Sequence, residues 1–225
     1  MSYDEHDAAY DEWMDKLYRE HKKEAISEFT TERLQSYFLD NPEAAKPSTS
    51  ALSEARALKE AGFNSAAFLF AQIATETGIK FVLLKPIVSG LVHDTPTAAL
   101  VSDLALGHIG LDRFRGLLFE VLRRIGGIDL STFTRPGCSQ KLWEEVGELQ
   151  KIRNSIVHRA DLTSGKQTAR AIAVAEAVMG TLFPALVKAL GLHLHDGWRV
   201  CGDSLCQWEE FLGADVLQRL RSRNT

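Results

Sequence analysis

Hydrophobic residues recur along this chain every three or four positions, which is the spacing of amphipathic α-helices. Residues 7–38 place Trp13, Leu17 and Phe38 among many charges and predict one or two helices. Residues 40–50, with two prolines and several polar residues, predict an exposed linker. Further helices are predicted over 51–61, 65–84, 97–106, 111–125, 141–160, 169–191 and 208–223. Because little in the pattern indicates strands, we expect an all-α bundle.

Two of the predicted helices are strongly apolar and contain a proline. Pro86 is expected to end or kink the first of them, and Pro184 to kink the second. The tail that follows has a different character, since Asp196-Gly197 is a turn signal between residues that favour strands. We therefore expect a short mixed tail after the bundle.

The charge of the chain is unevenly distributed. The 225 residues carry 26 Lys and Arg against 30 Asp and Glu, a net charge of −4. Residues 1–60 hold 8 basic and 14 acidic residues, so the rest of the chain is slightly basic. This balance disfavours broad polyanion binding but permits one local cationic cleft. The acidic start lacks the apolar core of a signal peptide, and the apolar stretch 81–92 is too short to span a membrane. We expect a cytoplasmic protein without a membrane partner.

Three cysteines, an odd and small number, are typical of a reducing compartment. Cys201 and Cys206 lie close in sequence to His193 and His195, so a zinc site is conceivable. Their spacing matches no common zinc motif, and the sequence therefore predicts incidental thiols, no metal and no cofactor.

One segment combines residues suited to acid–base and phosphate chemistry. Arg153, Asn154 and His158 lie in the last turns of the helix predicted over 141–160. An advance of about 100° per residue puts Asn154 within about 40° of His158, and Arg153 about 140° away from His158. Histidine titrates near neutrality, and arginine carries a fork of donors that fits phosphate oxygens.

Both charged residues of this segment also have structural explanations. His158 can interact with the carbonyl groups and the dipole at the end of the helix. Arg153 can pair with Glu145 or Glu148 on the helix surface.

The run Arg153-Asn-Ser-Ile-Val-His158 resembles the signature of the HEPN superfamily, a group of all-α domains that includes metal-independent endoribonucleases. In such domains an earlier helix often carries an acidic residue on its buried side, sometimes as Glu-x-x-x-Lys, and the apolar helix with Glu76-Thr-Gly-Ile-Lys80 is similar to it. The resemblance covers roughly residues 51–192. It implies a HEPN-like bundle, preceded by an acidic helical extension and linker over 1–50 and followed by the tail over 193–225.

The resemblance also implies a function. Arg153, Asn154, His158 and Glu76 are the expected catalytic residues, with Arg153 or Lys80 as the partner of Glu76, and Lys80 and Arg159 are expected to bind the substrate. The substrate would be RNA, with tRNA as one candidate. The two copies of a homodimer would meet at the motif helix, in a toxin–antitoxin or antiviral defence role.

A second interpretation keeps the fold but not the catalysis. The domain would then serve as a dimerisation, nucleotide-binding or adaptor module in a defence assembly. Residues 1–50 would be the docking element for a protein partner.

Overall fold

The computed structural model describes residues 5–91, Thr97, Leu100, 115–203 and Cys206. These residues are mainly helical, which confirms the all-α prediction. The predicted helix over 208–223, and that over 97–106 apart from Thr97 and Leu100, lie outside the described residues. The helices, in our numbering, are α1 (Glu5–Asp40), α2 (Lys46–Glu60), α3 (Asn64–Thr77), α4 (Lys85–Leu91), α5 (Arg115–Arg124), α6 (Leu142–Arg159), α7 (Gly165–Ala177) and α8 (Phe183–Ala189).

The N-terminal segment forms a single helix that joins the bundle. In α1, Leu34 and Phe38 are buried in the same core as the later helices. A turn over 41–45 follows, and α2 already begins at Lys46 with a proline in its first turn. Proline suits that position because its ring presets the helical φ and its missing N–H has no helical acceptor there. The predicted linker over 40–50 is therefore shortened to a tight turn.

Each of the two long apolar helices contains a π-helical segment. Gly78–Leu84, which we call π1, joins α3 to α4, and Val178–Leu182, which we call π2, joins α7 to α8. The second residue after each segment is a proline, Pro86 or Pro184. A proline ring clashes with the carbonyl four residues earlier in an α-helix, and the wider π turn relieves this clash. The prolines are therefore accommodated inside continuous helices instead of ending them.

The two π segments pack closely against each other at Gly78. A Cβ atom at this position would lie 2.7 Å from the Sδ of Met179 and 3.1 Å from the Cγ1 of Val178. Both of these side chains are buried. With no Cβ at Gly78, the side chains of Val178 and Met179 pack directly against its backbone, and a larger residue there would displace them.

The two long apolar helices lie in the core of the bundle, and this position explains their apolar character. The largest fully buried side chains of the core include Phe38, Phe68, Leu83, Leu149 and Phe183. By length and composition alone, Asn64–Ser89 and Gly165–Ala189 could cross a membrane, but 61% of the apolar window of each is buried inside the bundle. Burial in the protein core thus accounts for their hydropathy.

A small hairpin closes the described part of the chain. Strands β1 (His193–His195) and β2 (Arg199–Cys201) are antiparallel, and Asp196 and Gly197 between them both have positive φ. This conformation confirms the predicted turn at Asp196-Gly197. The backbone N–H of Val200 donates to the carbonyl oxygen of Pro42 at 2.9 Å, which attaches the hairpin to the turn between α1 and α2.

Replacing Gly78 with alanine tests the close approach of π1 and π2. We expect Gly78→Ala to lower the free energy of unfolding by about 1–3 kcal/mol, because buried Val178 and Met179 must move. Gly147→Ala is the matched control: it lies on exposed α6 surface with no atom within 4 Å of the new Cβ. It should raise stability by up to about 1 kcal/mol through helix propensity. Urea denaturation measures both, and equal effects would contradict the close approach.

Candidate functional site

Helix α6 presents one face to the core and leaves its last turn at the surface. Leu142, Val146 and Leu149 are buried, and Ile152 and Ile156 pack partly buried against the core. This stripe confirms the periodicity read from the sequence. The helix ends at Ala160, whose φ of 57° is left-handed and whose N–H donates to the carbonyl of Ile156 at 3.0 Å. His158 and Arg159 therefore lie in the final turn, beside the carbonyl end of the helix dipole.

The structure brings Arg153 and Asn154 together but not Arg153 and His158. The Nη1 of Arg153 donates to the Oδ1 of Asn154 at 3.2 Å. Arg153 is half-buried at the edge of the core-facing stripe, whereas Asn154 and His158 are exposed. Since α6 is a regular α-helix, the side chains of Arg153 and His158 leave it in directions about 140° apart.

The second predicted pair lies on the neighbouring helix. The Nζ of Lys80 forms an ion pair with a carboxylate oxygen of Glu76 at 3.1 Å. The side chain of Glu76 is 33% exposed, and that of Lys80 is 13% exposed. Of the two partners expected for Glu76, the structure thus gives Lys80. The pair spans α3 and π1, and α3 packs directly against α6. Within one chain the charge of Lys80 is already balanced by Glu76.

A cleft of about 280 Å³ lies beside the motif, between the end of α6 and the start of α7. It is lined by Lys151, Ile152, Ser155, Ile156, Asp161, Leu162 and Gln167. The hydroxyl of Ser155 donates to the carboxylate of Asp161, which ties α6 to the following loop. Lys151 lies seven residues before His158 and so on nearly the same side of the helix. Lys151 lines the cleft itself, whereas Arg153, Asn154 and His158 are not among its lining residues.

The sequence did not predict the buried charge network at the start of α6. Glu145 is 0% exposed and accepts hydrogen bonds from the Nε and Nη2 of Arg135 at 2.8 and 2.9 Å. It also accepts one from the Nε of Arg170 at 2.9 Å. The Nη2 of Arg170 donates to Gln140 at 2.6 Å and to Glu148 at 2.7 Å. Glu145 and Glu148, the two partners that the sequence offers to Arg153, are thus bound by Arg135 and Arg170 instead.

The sequence did contain one indication of this network. Glu145 stands among the buried positions of α6, and a buried carboxylate requires partners. Nothing local identifies those partners, because Arg135 precedes it by ten residues and Arg170 follows it by twenty-five.

The network shifts the pKa values of its members toward their charged forms. Burial by itself would raise the pKa of Glu145, but the hydrogen bonds from Arg135 and Arg170 outweigh it and lower this pKa. The hydrogen bond to Glu145 raises the pKa of Arg135. Burial would lower the pKa of Arg170, and its bonds to Glu145 and Glu148 raise it instead. All three groups are therefore charged at neutral pH.

Among the residues that the structure describes, one group has the chemistry of a metal site. His193, His195, Cys201 and Cys206 meet at the hairpin, with ligand atoms all within 4.8 Å of one another. Sequence spacing alone did not reveal this grouping, because it depends on the pairing of β1 with β2.

Neither a known protein family, nor a curated protein, nor a solved structure matches this chain. The HEPN resemblance, and the RNA substrate, homodimer and cytoplasmic location inferred with it, therefore stay predictions.

The Glu145 network predicts a specific acid sensitivity. The pKa of Glu145 is lower in the folded than in the unfolded chain, so its contribution to stability is present above the unfolded pKa and is lost as the pH falls through the folded pKa. We expect Glu145→Gln to cost roughly 3 kcal/mol at neutral pH, because it removes the carboxylate that Arg135 binds and leaves Arg170 with the exposed Glu148 alone. It should also flatten the loss of stability below about pH 4.

Glu148→Gln provides the matched control. It removes an exposed carboxylate from the same network, and we expect a much smaller effect. Denaturant titrations between about pH 7 and about pH 3 measure both variants. Similar losses for the two would rule out a dominant role for Glu145.

Proposed function

We propose that this chain is a metal-independent endoribonuclease of the HEPN type that acts as a homodimer. The observation that supports this function best is the arrangement at the end of α6. Arg153 is held by Asn154, and His158 is exposed one turn beyond Asn154. These are the groups that cleavage of an RNA phosphodiester requires.

The proposed reaction is a transesterification within the RNA backbone. The 2′-oxygen attacks the adjacent phosphorus as its proton is removed, and the bond from phosphorus to the 5′-oxygen breaks as that oxygen gains a proton. The products are a 2′,3′-cyclic phosphate and a 5′-hydroxyl. His158 exchanges one of these protons as general acid or base. Arg153 balances the negative charge that builds up on the phosphate oxygens, and Asn154 holds its guanidinium in place.

A homodimer resolves the separation of Arg153 and His158. The two side chains diverge by about 140°, so one helix does not direct both at the same phosphorus. If two copies of α6 face each other across a two-fold axis, Arg153 of one copy approaches His158 of the other. Each dimer then has two equivalent sites, both built from two chains.

Exposed apolar side chains next to the motif supply a surface for this contact. Phe70, Ile73 and Phe81 are exposed along α3 and π1, and Val157 is exposed on α6. Since α3 packs against α6, these residues lie on adjoining elements. Exposed apolar groups on adjoining helices favour association, and a two-fold contact pairs each surface with its own copy.

The remaining predicted site residues act around this centre. Arg159, exposed in the last turn of α6, contributes positive charge toward the RNA. Lys80 binds a phosphate of the RNA by exchanging its ion pair with Glu76 for that contact. We place the enzyme in the cytoplasm, in a toxin–antitoxin or antiviral defence role, with tRNA as the first substrate to test.

Cleavage should depend on His158 and Arg153. Purified protein incubated with RNA in EDTA should yield fragments with cyclic phosphate ends, because the mechanism needs no metal. His158→Ala and Arg153→Ala should each lower the rate by at least about 100-fold. His21→Ala and Arg123→Ala, at exposed positions on α1 and α5, serve as controls and should cleave normally.

Two results would contradict the proposed site. One is wild-type cleavage by His158→Ala, and the other is no cleavage by a folded, dimeric wild-type protein. The second result, together with tight capture of one protein through residues 1–50, would favour the non-catalytic module.

Mixing two inactive variants tests whether each site is built from two chains. A dimer of Arg153→Ala with His158→Ala keeps one intact Arg–His pair across the interface. After subunit exchange, random mixing should restore up to about a quarter of wild-type activity. Two copies of the same variant, mixed identically, are the control and should stay inactive. If Arg153 and His158 act within the same chain, the mixture will also be inactive.

A further inference from the structure

Four side chains that bind metals well converge at the C-terminal hairpin. The ligand atoms of His193, His195, Cys201 and Cys206 all lie within 4.8 Å of one another. The ring centroids of the two histidines are 5.0 Å apart, and the Sγ of Cys206 lies 3.5 Å from the Nε2 of His195. All four residues are half-buried, so the group is neither scattered on the surface nor sealed in the core.

The hairpin places three of the four on one face. Side chains alternate across a strand, so His193 and His195 point to the same side of β1. The register pairs His193 with Cys201, and directly paired residues share a face of the sheet. The fourth residue, Cys206, lies beside them, with its backbone N–H donating to the carbonyl of Asp203 at 3.1 Å.

These distances fit tetrahedral coordination. Zinc bonds of about 2.3 Å to sulfur and about 2.0–2.1 Å to nitrogen put neighbouring ligand atoms roughly 3.3–3.8 Å apart. Ligand atoms already within 4.8 Å reach this separation through small side-chain rotations. Two imidazoles and two thiolates form a donor set that suits Zn²⁺.

The surroundings support a metal in two further ways. The backbone N–H of Asp203 lies 3.5 Å from the Sγ of Cys201, where it can stabilise a thiolate. The hairpin itself has strands of only three residues, and a two-stranded hairpin of this size is marginally stable in water. A metal would join β1, β2 and the segment that follows them.

We propose that His193, His195, Cys201 and Cys206 bind one Zn²⁺ in a closed structural site. With four protein ligands the ion has no open position, so it holds the hairpin and takes no part in catalysis. The hairpin is attached to the turn between α1 and α2 through Val200, and the metal therefore also holds the hairpin in shape at this contact. This site is independent of the ribonuclease function proposed for α6.

The test measures zinc in the full-length protein, produced without a histidine tag and purified under reducing conditions. Wild type should contain one zinc per chain by elemental mass spectrometry. Cys201→Ser and Cys206→Ser should each lose most of this zinc and unfold at a lower temperature. Cys138→Ser is the matched control, because it removes the one cysteine outside the group. It should keep its zinc.

Cobalt provides a second measurement that does not depend on how the variants fold. Zinc-free wild type titrated with Co²⁺ should develop the visible absorption of a tetrahedral thiolate site, saturating at one equivalent. The proposal is overturned if folded, reduced wild type binds neither Zn²⁺ nor Co²⁺. It is equally overturned if both serine variants keep full zinc, or if Cys201 and Cys206 form a disulfide in the freshly isolated protein.

Discussion

The buried carboxylate of Glu145 determines how the helix with the candidate site is held. A fully buried negative charge is tolerated only when charged donors surround it, and here the donors come from the loop before α6 and from α7. The geometry of Arg135 and Arg170 around one carboxylate leaves little freedom for α6 to slide or rotate. The orientation of its last turns, and hence of Arg153 and His158, follows from an interaction about two turns before Arg153 and almost four turns before His158.

Local pattern predicted the parts of the fold that depend on local physics. The apolar stripe through Leu142 and Leu149 predicts a helix face, and Asp196-Gly197 predicts a turn. Both predictions succeed because local sequence determines these features. The π segments were missed for a different reason. Pro86 was expected to end or kink its helix, and Pro184 to kink its helix. The clash of a proline ring with an earlier carbonyl can instead be relieved by widening one turn, which packing in the core stabilises.

The features of the candidate site also divide into those that local sequence predicts and those that depend on tertiary contacts. The angular separation of Arg153 and His158 followed from counting residues on a helix, and the structure keeps it. The sequence left two possible partners for Glu76, Arg153 and Lys80, because the choice depends on which side chain can reach the carboxylate. In the structure the partner is Lys80. The histidines and cysteines of the tail were dismissed on spacing, because strand register, which brings His193 opposite Cys201, is absent from a linear motif.

The paired π segments have a consequence for how the bundle divides along its length. A π turn contains one more residue than an α turn, so the helix beyond it is out of phase by about one residue, or about 100°. Faces that α3 and α7 turn toward the core are therefore not continued by α4 and α8 as a straight helix would continue them. Each long helix thus has two halves that turn different faces toward the core. The two long helices contact each other at their π segments, where Gly78 meets Met179. The positions of α4 and α8 that face the core are therefore not found by extending the apolar periodicity of α3 and α7 across the π segments.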